Sequence, residues 1–438
     1  MAVTLADVAA RAGVSAATVS RVLSGNYPVA GATRTRVMRA VEELEYVVNG
    51  PASALAASSS DLVGILVNDI ADPFFGIIAG AVQTELNGPE GTPGPRKLAV
   101  VCNTGGSPEQ ELTYLTLLQR QRAAALVLTG GAVEDPEHSA VLAARLRRLA
   151  AGGTRVVLCG RPPLAETDTG IPAYARGQTL ARERPPGHRG AREADPTGVL
   201  TVAFDNRGGA RRLTEHLLAL GHRTIGYVAG PAERTTTRHR LEGHRAALRE
   251  QALREPLVSG TARPENGTAR SEGAAARSAT GAGGRSGDGG GTGGGARSDG
   301  RAAQPTEARI DAEAERLTVH GGGYDRSSGY DGALELLRRE PGVTAVLAAN
   351  DTVALGVCAA LRDQGLRIPE DVSVAGFDDL PFSADASPAL TTVRLPLQEA
   401  GARAGRLALG RQSPPPGGVA TVQADLMARA STARPRTV

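Results

Sequence analysis

From residue 62 onward the chain alternates short apolar runs with stretches of helical period, and this alternation restricts the possible folds more than any other feature. LVGILV (62–67), KLAVVCN (97–103), AALVLTG (124–130) and RVVLCG (155–160) have the length and β-branched content of buried strands, with helical periods over 74–86, 108–120 and 137–149. A second set follows: VLTVAFD (199–205), TIGYVAG (224–230), VTAVLAAND (343–351) and DVSVAGFDD (371–379), with helices over 207–220, 238–253, 327–340 and 353–364. Strands that alternate with helices imply βαβ units and parallel sheets. Two such sets predict two doubly wound lobes facing each other across a cleft, and ligands of such sheets sit at the carboxyl ends of the strands. Asp69, Asn103, Arg161, Asp205, Asn350 and Asp378 occupy those ends.

The first 46 residues follow a different rule. In TLADVAARAGVSAATVSRVL (4–23), Thr4 is placed to cap a helix whose Leu5, Val8, Ala9 and Ala12 recur on one face. Gly13 supplies a turn, Ser15 caps a second helix, and Val19, Val22 and Leu23 form its inner face. The outer face carries Ala16, Ala17, Ser20 and Arg21. This is the pattern of a helix-turn-helix. Its smooth, small-residue face suits a DNA major groove, with Arg21 able to fork onto guanine and Ser15, Thr18 and Ser20 able to hold phosphates. Thr4, Asn26, Thr33 and Arg34 complete the candidate DNA-facing set. The competing reading is a helical hairpin inside some other domain. Residues 29–46, with Val37, Val41 and Leu44 on one side, would close a three-helix core.

DVAARAGVSAATVSRVLSG, TRTRVMRAVEELEY and the later strand motifs, in this order, resemble the lactose/galactose repressor (LacI/GalR) family of transcription regulators. The resemblance implies an N-terminal all-α helix-turn-helix domain (1–48) and a hinge helix or linker (49–60). It also implies a periplasmic-binding-protein-like α/β core, with an N-terminal lobe (61–163 and 392–415) and a C-terminal lobe (199–391 and 416–438). It assigns Leu55, with Ala52 beside it, as a wedge in the minor groove at the centre of a palindromic operator. An ordinary Ala/Ser linker is the alternative for this segment. The chain departs from the family at Ala30, where a capping serine is usual, at Val48, Gly50-Pro51 and Ser53 in the hinge, and at Gly160, where an aspartate is common.

The cleft chemistry is read from residue types. Rings are scarce in this chain, at 3% of residues, yet Phe74 and Phe75 stand at a strand-to-helix junction and Tyr324 in a loop, as stacking groups for a flat ligand face would. For Phe75 a core position is the alternative. Arg240, Asn350 and Asp378 offer a guanidinium fork, an amide and a carboxylate, a set suited to vicinal sugar hydroxyls or a nucleoside edge. Helix capping is the alternative for Asp378, whereas for Asn350 capping and ligand contact are compatible. The resemblance carries effector contact onto Phe74, Arg240, Tyr324, Asn350 and Asp378, and further onto Arg234 and Thr236. Asp69 and Arg161 join the set from their strand ends.

Composition sets bounds on these readings. The 438 residues carry a net charge of only +3, so the molecule is not a general electrostatic glove for nucleic acid. Within residues 1–60, Arg11, Arg21, Arg34, Arg36 and Arg39 face Asp7, Glu42, Glu43 and Glu45, so affinity depends on arginine placement and on doubling of contacts in a homodimer or a dimer of dimers. Cys102, Cys159 and Cys358 are too scattered for a metal cluster or a disulfide framework, and they are expected reduced in the cytoplasm. No leader or apolar run of membrane length is found. The seven histidines, expected at the surface or at helix ends, lack metal spacing, and no GxSxG, Walker or HExxH motif occurs. The expectation is a regulator that needs no cofactor, with double-stranded DNA and a sugar or nucleoside-like effector as partners. A secreted sugar-binding protein or a cleft enzyme would need an export signal or an acid/base set instead. Segments 87–96, 164–198 and 254–317 interrupt the pattern; 281–300 contains 11 glycines, which predicts disorder across the last insertion.

Overall fold

The structure, a computed structural model, describes residues 3–24, 28–46, 60–88, 97–164, 198–254 and 307–436. It begins with α1 (Leu5–Ala12), α2 (Ala16–Ser24) and α3 (Gly31–Glu43). Thr4 and Asp7 form a capping box on α1, with the Asp7 amide donating to Thr4 Oγ1 at 3.4 Å and the Thr4 amide to Asp7 Oδ2 at 2.8 Å. Gly13 ends α1 at φ +63°, where a side chain would be strained. Ser15 Oγ accepts the Thr18 amide at 3.2 Å and so caps α2. Val8, Ala9, Ala12, Val19, Val22, Val37 and Ala40 build a small core of their own. Ala30 leaves α3 without a side-chain cap. The hinge assignments Ala52 and Leu55, and Asn26, lie outside the described residues.

The first lobe is built from β1 (Leu62–Val67), α4 (Pro73–Asn87), β2 (Leu98–Asn103), α5 (Pro108–Arg120), β3 (Ala125–Thr129), α6 (Pro136–Ala151), β4 (Arg155–Cys159) and β5 (Val199–Phe204). These three helices each start with a polar cap followed by proline: Asp72-Pro73, Ser107-Pro108 and Asp135-Pro136. A proline in the first turn loses no hydrogen bond, so these junctions fix where each strand hands over to its helix. The second lobe contains α7 (Asn206–Leu220), β6 (Ile225–Ala229), α8 (Thr235–Arg254), α9 (Glu307–Arg316), β7 (Thr318–His320), α10 (Arg326–Arg339), β8 (Ala345–Ala348), α11 (Asp351–Asp363), β9 (Ser373–Ala375) and α12 (Phe382–Asp385). The chain ends with β10 (Thr392–Arg394), α13 (Leu397–Leu409), β11 (Val419–Val422) and β12 (Asp425–Met427).

Two parallel sheets result, in the orders β11-β5-β4-β3-β1-β2 and β7-β6-β8-β9. In the first, α4 and α13 bury Ile78, Val82, Ala400 and Leu407 on one face, while Leu115, Leu118, Leu142 and Leu146 cover the other. The doubly wound architecture is therefore present, but its lobe boundaries differ from those read in the sequence. Residues 199–204, expected to open the second lobe, pair with β4 in the first sheet, Val156 opposite Val199 and Cys159 opposite Val202. Residues 419–422, also expected in the second lobe, pair with β5. The chain thus crosses between lobes after Phe204, between Arg394 and Leu397, and between Val422 and Asp425, where β10 and β12 form a two-stranded antiparallel ribbon.

Two further expectations are corrected. The 254–317 insertion is not structureless throughout: α9 packs along α8, with Arg249 bonding Asp311 and Arg245 bonding Glu315, and it buries Ala314. Residues 255–306 lie outside the described set. The histidines follow their expectation only in part: His138 and His222 lie at helix ends but are buried, and His239 and His244 are buried within α8, the last with Nδ1 on the Thr214 hydroxyl at 3.0 Å. The three cysteines are free and buried.

Candidate functional site

A cleft of about 480 Å³ lies between the lobes at the carboxyl ends of their strands. Eight of the nine candidate effector residues line it: Asp69, Phe74, Arg234, Thr236, Arg240, Tyr324, Asn350 and Asp378. The ninth, Arg161, does not. Its buried guanidinium needs a counter-charge, and α5 supplies one: Nη1 pairs with Glu111 Oε1 at 2.6 Å and Nη2 donates to the Thr129 carbonyl at 3.3 Å. Burial raises the Glu111 carboxyl, but Arg161 and His138 together hold it below the usual carboxylate range.

The first-lobe wall is aromatic. Phe74 meets Phe75 edge-on at 5.0 Å and Phe204 at 6.0 Å, and all three rings line the cleft while contributing to the core. Phe75 is thus a core residue, as its alternative reading had it, that also borders the cleft. Gly160 sits at φ +84°, and a Cβ there would fall 2.8 Å from Phe204 Cε2, so the ring fills the space a larger residue at 160 would need. Asp72, whose carboxylate caps α4, is raised by burial and by nearby Asp69.

The second-lobe wall is organised around Arg240, which stacks 3.7 Å over the Phe377 ring. Its Nε donates to Asn206 Oδ1 at 2.9 Å, Nη2 to Asp378 Oδ1 at 2.8 Å, and Nη1 to the Ala349 carbonyl. Burial pushes the Asp378 carboxyl up to about 7, against the pull of Arg240. Asp378 and Asp379 both have positive φ, 103° and 54°. Non-glycine residues hold such a backbone only when their surroundings enforce it. Here Asp351 does so: its Oδ2 accepts the Leu380 amide and the Ser383 hydroxyl, each at 2.7 Å, and its Oδ1 accepts the Thr392 hydroxyl at 2.6 Å. Burial lifts Asp351 to about 6 against those bonds. Asn350 caps α11 through the Val353 amide at 2.8 Å while its Nδ2 donates to the Tyr324 carbonyl at 3.3 Å, so capping and a cleft position coexist.

Asn206, Asp72, Phe204 and Thr352 were not singled out from the sequence, yet they line the cleft. The Thr352 hydroxyl has no hydrogen-bond partner. The Asp72-Pro73 cap pattern was a usable signal; Thr352, one ordinary helical threonine among many, gave none. On the N-terminal domain, Thr4, Ser15, Ala16, Ala17, Ser20, Arg21 and Arg34 are exposed and Thr18 and Thr33 half-buried, so Ala16, Ala17, Ser20 and Arg21 share the outer face of α2.

Residues 4–49 match the family model of bacterial regulatory proteins of the lacI family, and 60–262 that of the periplasmic binding proteins and sugar binding domain of the LacI family. Residues 287–432 match the periplasmic binding protein-like domain. The transcriptional regulator GalS of Salmonella typhimurium is 31% identical over 93% of this chain and 89% of its own length. The chain belongs to the LacI family. This LacI-family transcriptional regulator is also similar to MalR of Streptomyces coelicolor, at 28% identity over 99% of the chain and 97% of MalR. Among solved structures, a CelR–cellobiose complex aligns with a TM-score of 0.55 at 26% identity over 98% of this chain and 99% of that one. A Lac repressor dimer bound to operator and an anti-inducer shares the fold, with a TM-score of 0.63 at 22% identity over 99% and 100% of the two chains. The relatives are regulators, not enzymes. In this LacI-family regulator no described helix is long and apolar enough to cross a membrane, and no group of metal-ligating side chains is found among the described residues.

Proposed function

We propose that this chain is a repressor that binds an inverted-repeat operator as a homodimer and is switched by an uncharged saccharide held between its lobes. The observation that carries the reading is the convergence of eight candidate side chains, chosen by residue chemistry, by strand-end position or by the family resemblance, on one interlobe cleft in a chain that also carries a helix-turn-helix. Charge narrows the ligand. The lining carries the carboxylates of Asp69, Asp72, Glu233, Asp325 and Asp378, and its guanidiniums already bond within the protein, Arg240 to Asp378 and Arg234 to the Gly106 carbonyl. A phosphate or carboxylate would meet like charge, whereas sugar hydroxyls can donate to these oxygens and a pyranose face can lie on Phe74. The cellobiose bound by CelR and the operator-bound Lac repressor dimer support the reading by kinship.

In the proposed cycle each α2 reads one half-site, and the effector shifts affinity because it binds one lobe arrangement better than the other. The regulator then works where the chromosome is, in the cytoplasm. Duplexes selected by the purified protein from a random library should share an inverted repeat. A thermal-shift panel of neutral mono- and disaccharides, sugar phosphates and nucleosides should show stabilisation by a neutral sugar alone, and that sugar should alter operator affinity. Selection of no repeat would refute the DNA reading; a phosphate or nucleoside as the best stabiliser would refute the ligand.

A further inference from the structure

The loops that follow β3 and β6 belong to different lobes, yet they are joined to each other. Val133 pairs antiparallel with Arg234. The Thr235 amide donates to the Ala132 carbonyl at 3.0 Å, the Ala132 amide to Thr235 Oγ1 at 3.0 Å, and the Glu134 amide to the Glu233 carbonyl at 2.7 Å. Arg234 Nη2 reaches the Gly106 carbonyl at 2.7 Å, a second tie to the first lobe. Side chains extend the join: Arg238 Nε bonds Glu134 Oε1 at 2.5 Å, and its Nη1 bonds Glu242 Oε1 at 2.7 Å. Glu242 in turn pairs with Arg207 on α7. Gly131 allows this approach, because a Cβ at that position would collide with Thr236 Oγ1. Gly131, Arg234 and Thr236 line the cleft, but Glu134 and Arg238 do not.

We propose that this strand-like pairing, clamped by the Glu134–Arg238 ion pair, is a latch that holds the lobes together with no effector bound. Glu134 and Arg238 are then positioning residues: they fix the spacing of the cleft walls without touching what binds there. Arg234, a candidate ligand contact by sequence, serves mainly to bridge the lobes. The latch sets the population of each lobe arrangement before any effector arrives, and a ligand's apparent affinity scales with the competent fraction. That consequence for affinity rests on the effector reading above; the latch itself does not.

Amide hydrogen exchange on the full-length, effector-free protein tests the latch directly. The Ala132, Glu134 and Thr235 amides donate across the lobes, so peptides spanning 131–136 and 232–236 are expected to exchange at least tenfold more slowly than exposed loops do. Glu134→Gln and Arg238→Gln should each remove most of that protection, and the double variant should do no more than either single one. Peptides over β3 (125–129) and β6 (225–229) should be unchanged, which separates an opened latch from general unfolding. The ion pair is half-exposed, with side-chain exposures of 37% and 27%, so 1 M NaCl should speed exchange of the same amides in the parent, an arm that needs no variant. Loop-like exchange in the parent, or protection indifferent to both substitutions and to salt, would overturn the proposal. Neither result would bear on whether a saccharide binds.

Discussion

Arg240 Nη2 donates to Asp378 Oδ1 at 2.8 Å, and both side chains are almost wholly buried. The pair ties α8 to the loop after β9 and so fixes the second-lobe wall of the cleft. Removing one member of a buried ion pair costs about 3–5 kcal/mol, because the other charge is left uncompensated.

That cost should depend on pH. Burial raises the folded-state pKa of Asp378 to about 7 from an ordinary value near 3.8, so the group contributes stability at low pH that is lost as pH rises through that window. Below 7 the carboxyl is neutral in the parent and in Arg240→Met alike. Above 7 the parent ionises beside Arg240, whereas the variant has no guanidinium to offset the charge. The Arg240→Met penalty should therefore have a pH-independent part at pH 6, from the lost bonds to Asn206 and Ala349, and grow by up to about 1.4 kcal/mol per pH unit above 7. Urea denaturation of both proteins at pH 6 and 8.5 measures it, and an equal penalty at the two pH values would count against this account.

Substitution at Gly160 tests how the aromatic wall is accommodated. Gly160→Ala places a Cβ 2.8 Å from Phe204 Cε2 at a backbone angle of +84°. Overpacking and left-handed strain each cost about 1–3 kcal/mol. Adding Phe204→Leu should recover the steric part and leave the strain. A double-mutant cycle in denaturant, with a coupling energy of at least about 0.5 kcal/mol, is the expected outcome.

The elements that sequence reading located well are those whose pattern is local. Apolar spacing and caps at Thr4 and Ser15 defined the first two helices, and apolar strand runs defined both sheets, although β2, expected to be buried, lies at a sheet edge with Leu98 and Val101 exposed. Sheet membership is not local: β5 is as apolar as β6, and only its pairing with β4 shows which lobe holds it. The same limit applies to α9, whose charged sequence looks unable to form a core but is held by partners on α8, such as Arg249. In the cleft, strand-end position found Asp69 and Asp378. It misplaced Arg161, because the direction a guanidinium takes depends on where its counter-charge lies, here on α5.

His244 should contribute to the acid limb of stability in the second lobe, together with His239, which burial also pushes down to about 3. The Thr214 hydroxyl donates to the Ala210 carbonyl at 2.8 Å and so accepts from His244 Nδ1, leaving Nε2 buried without a partner. Burial pushes the imidazole down to about 3. A histidine depressed in this way contributes stability that is complete above its unfolded pKa near 6.5 and is lost as pH falls toward 3. His244→Phe should flatten the stability profile between pH 6 and 4 by about 1.4 kcal/mol per pH unit. Asp351 and Asp378 act in the opposite sense over much of this window, but they are present in both proteins and cancel in the comparison.

Arg21 and Arg34 should fail in different ways, and the difference separates base reading from phosphate holding. Arg21 stands on the exposed face of α2 beside Ala16, Ala17 and Ser20, whose small side chains let that face sink into a major groove, so its guanidinium can reach a base edge. Arg34 lies in the first turn of α3, away from that face. Against a selected inverted repeat, Arg21→Ala should lose about 1–3 kcal/mol of specific affinity and tolerate changes at one position of each half-site. Arg34→Ala should weaken binding to every duplex alike and reduce the slope of log affinity against log salt by about one. Titrations at several salt concentrations, on the selected repeat and on single-base variants of it, distinguish the two. A uniform loss for both arginines would mean that α2 does not read sequence through Arg21.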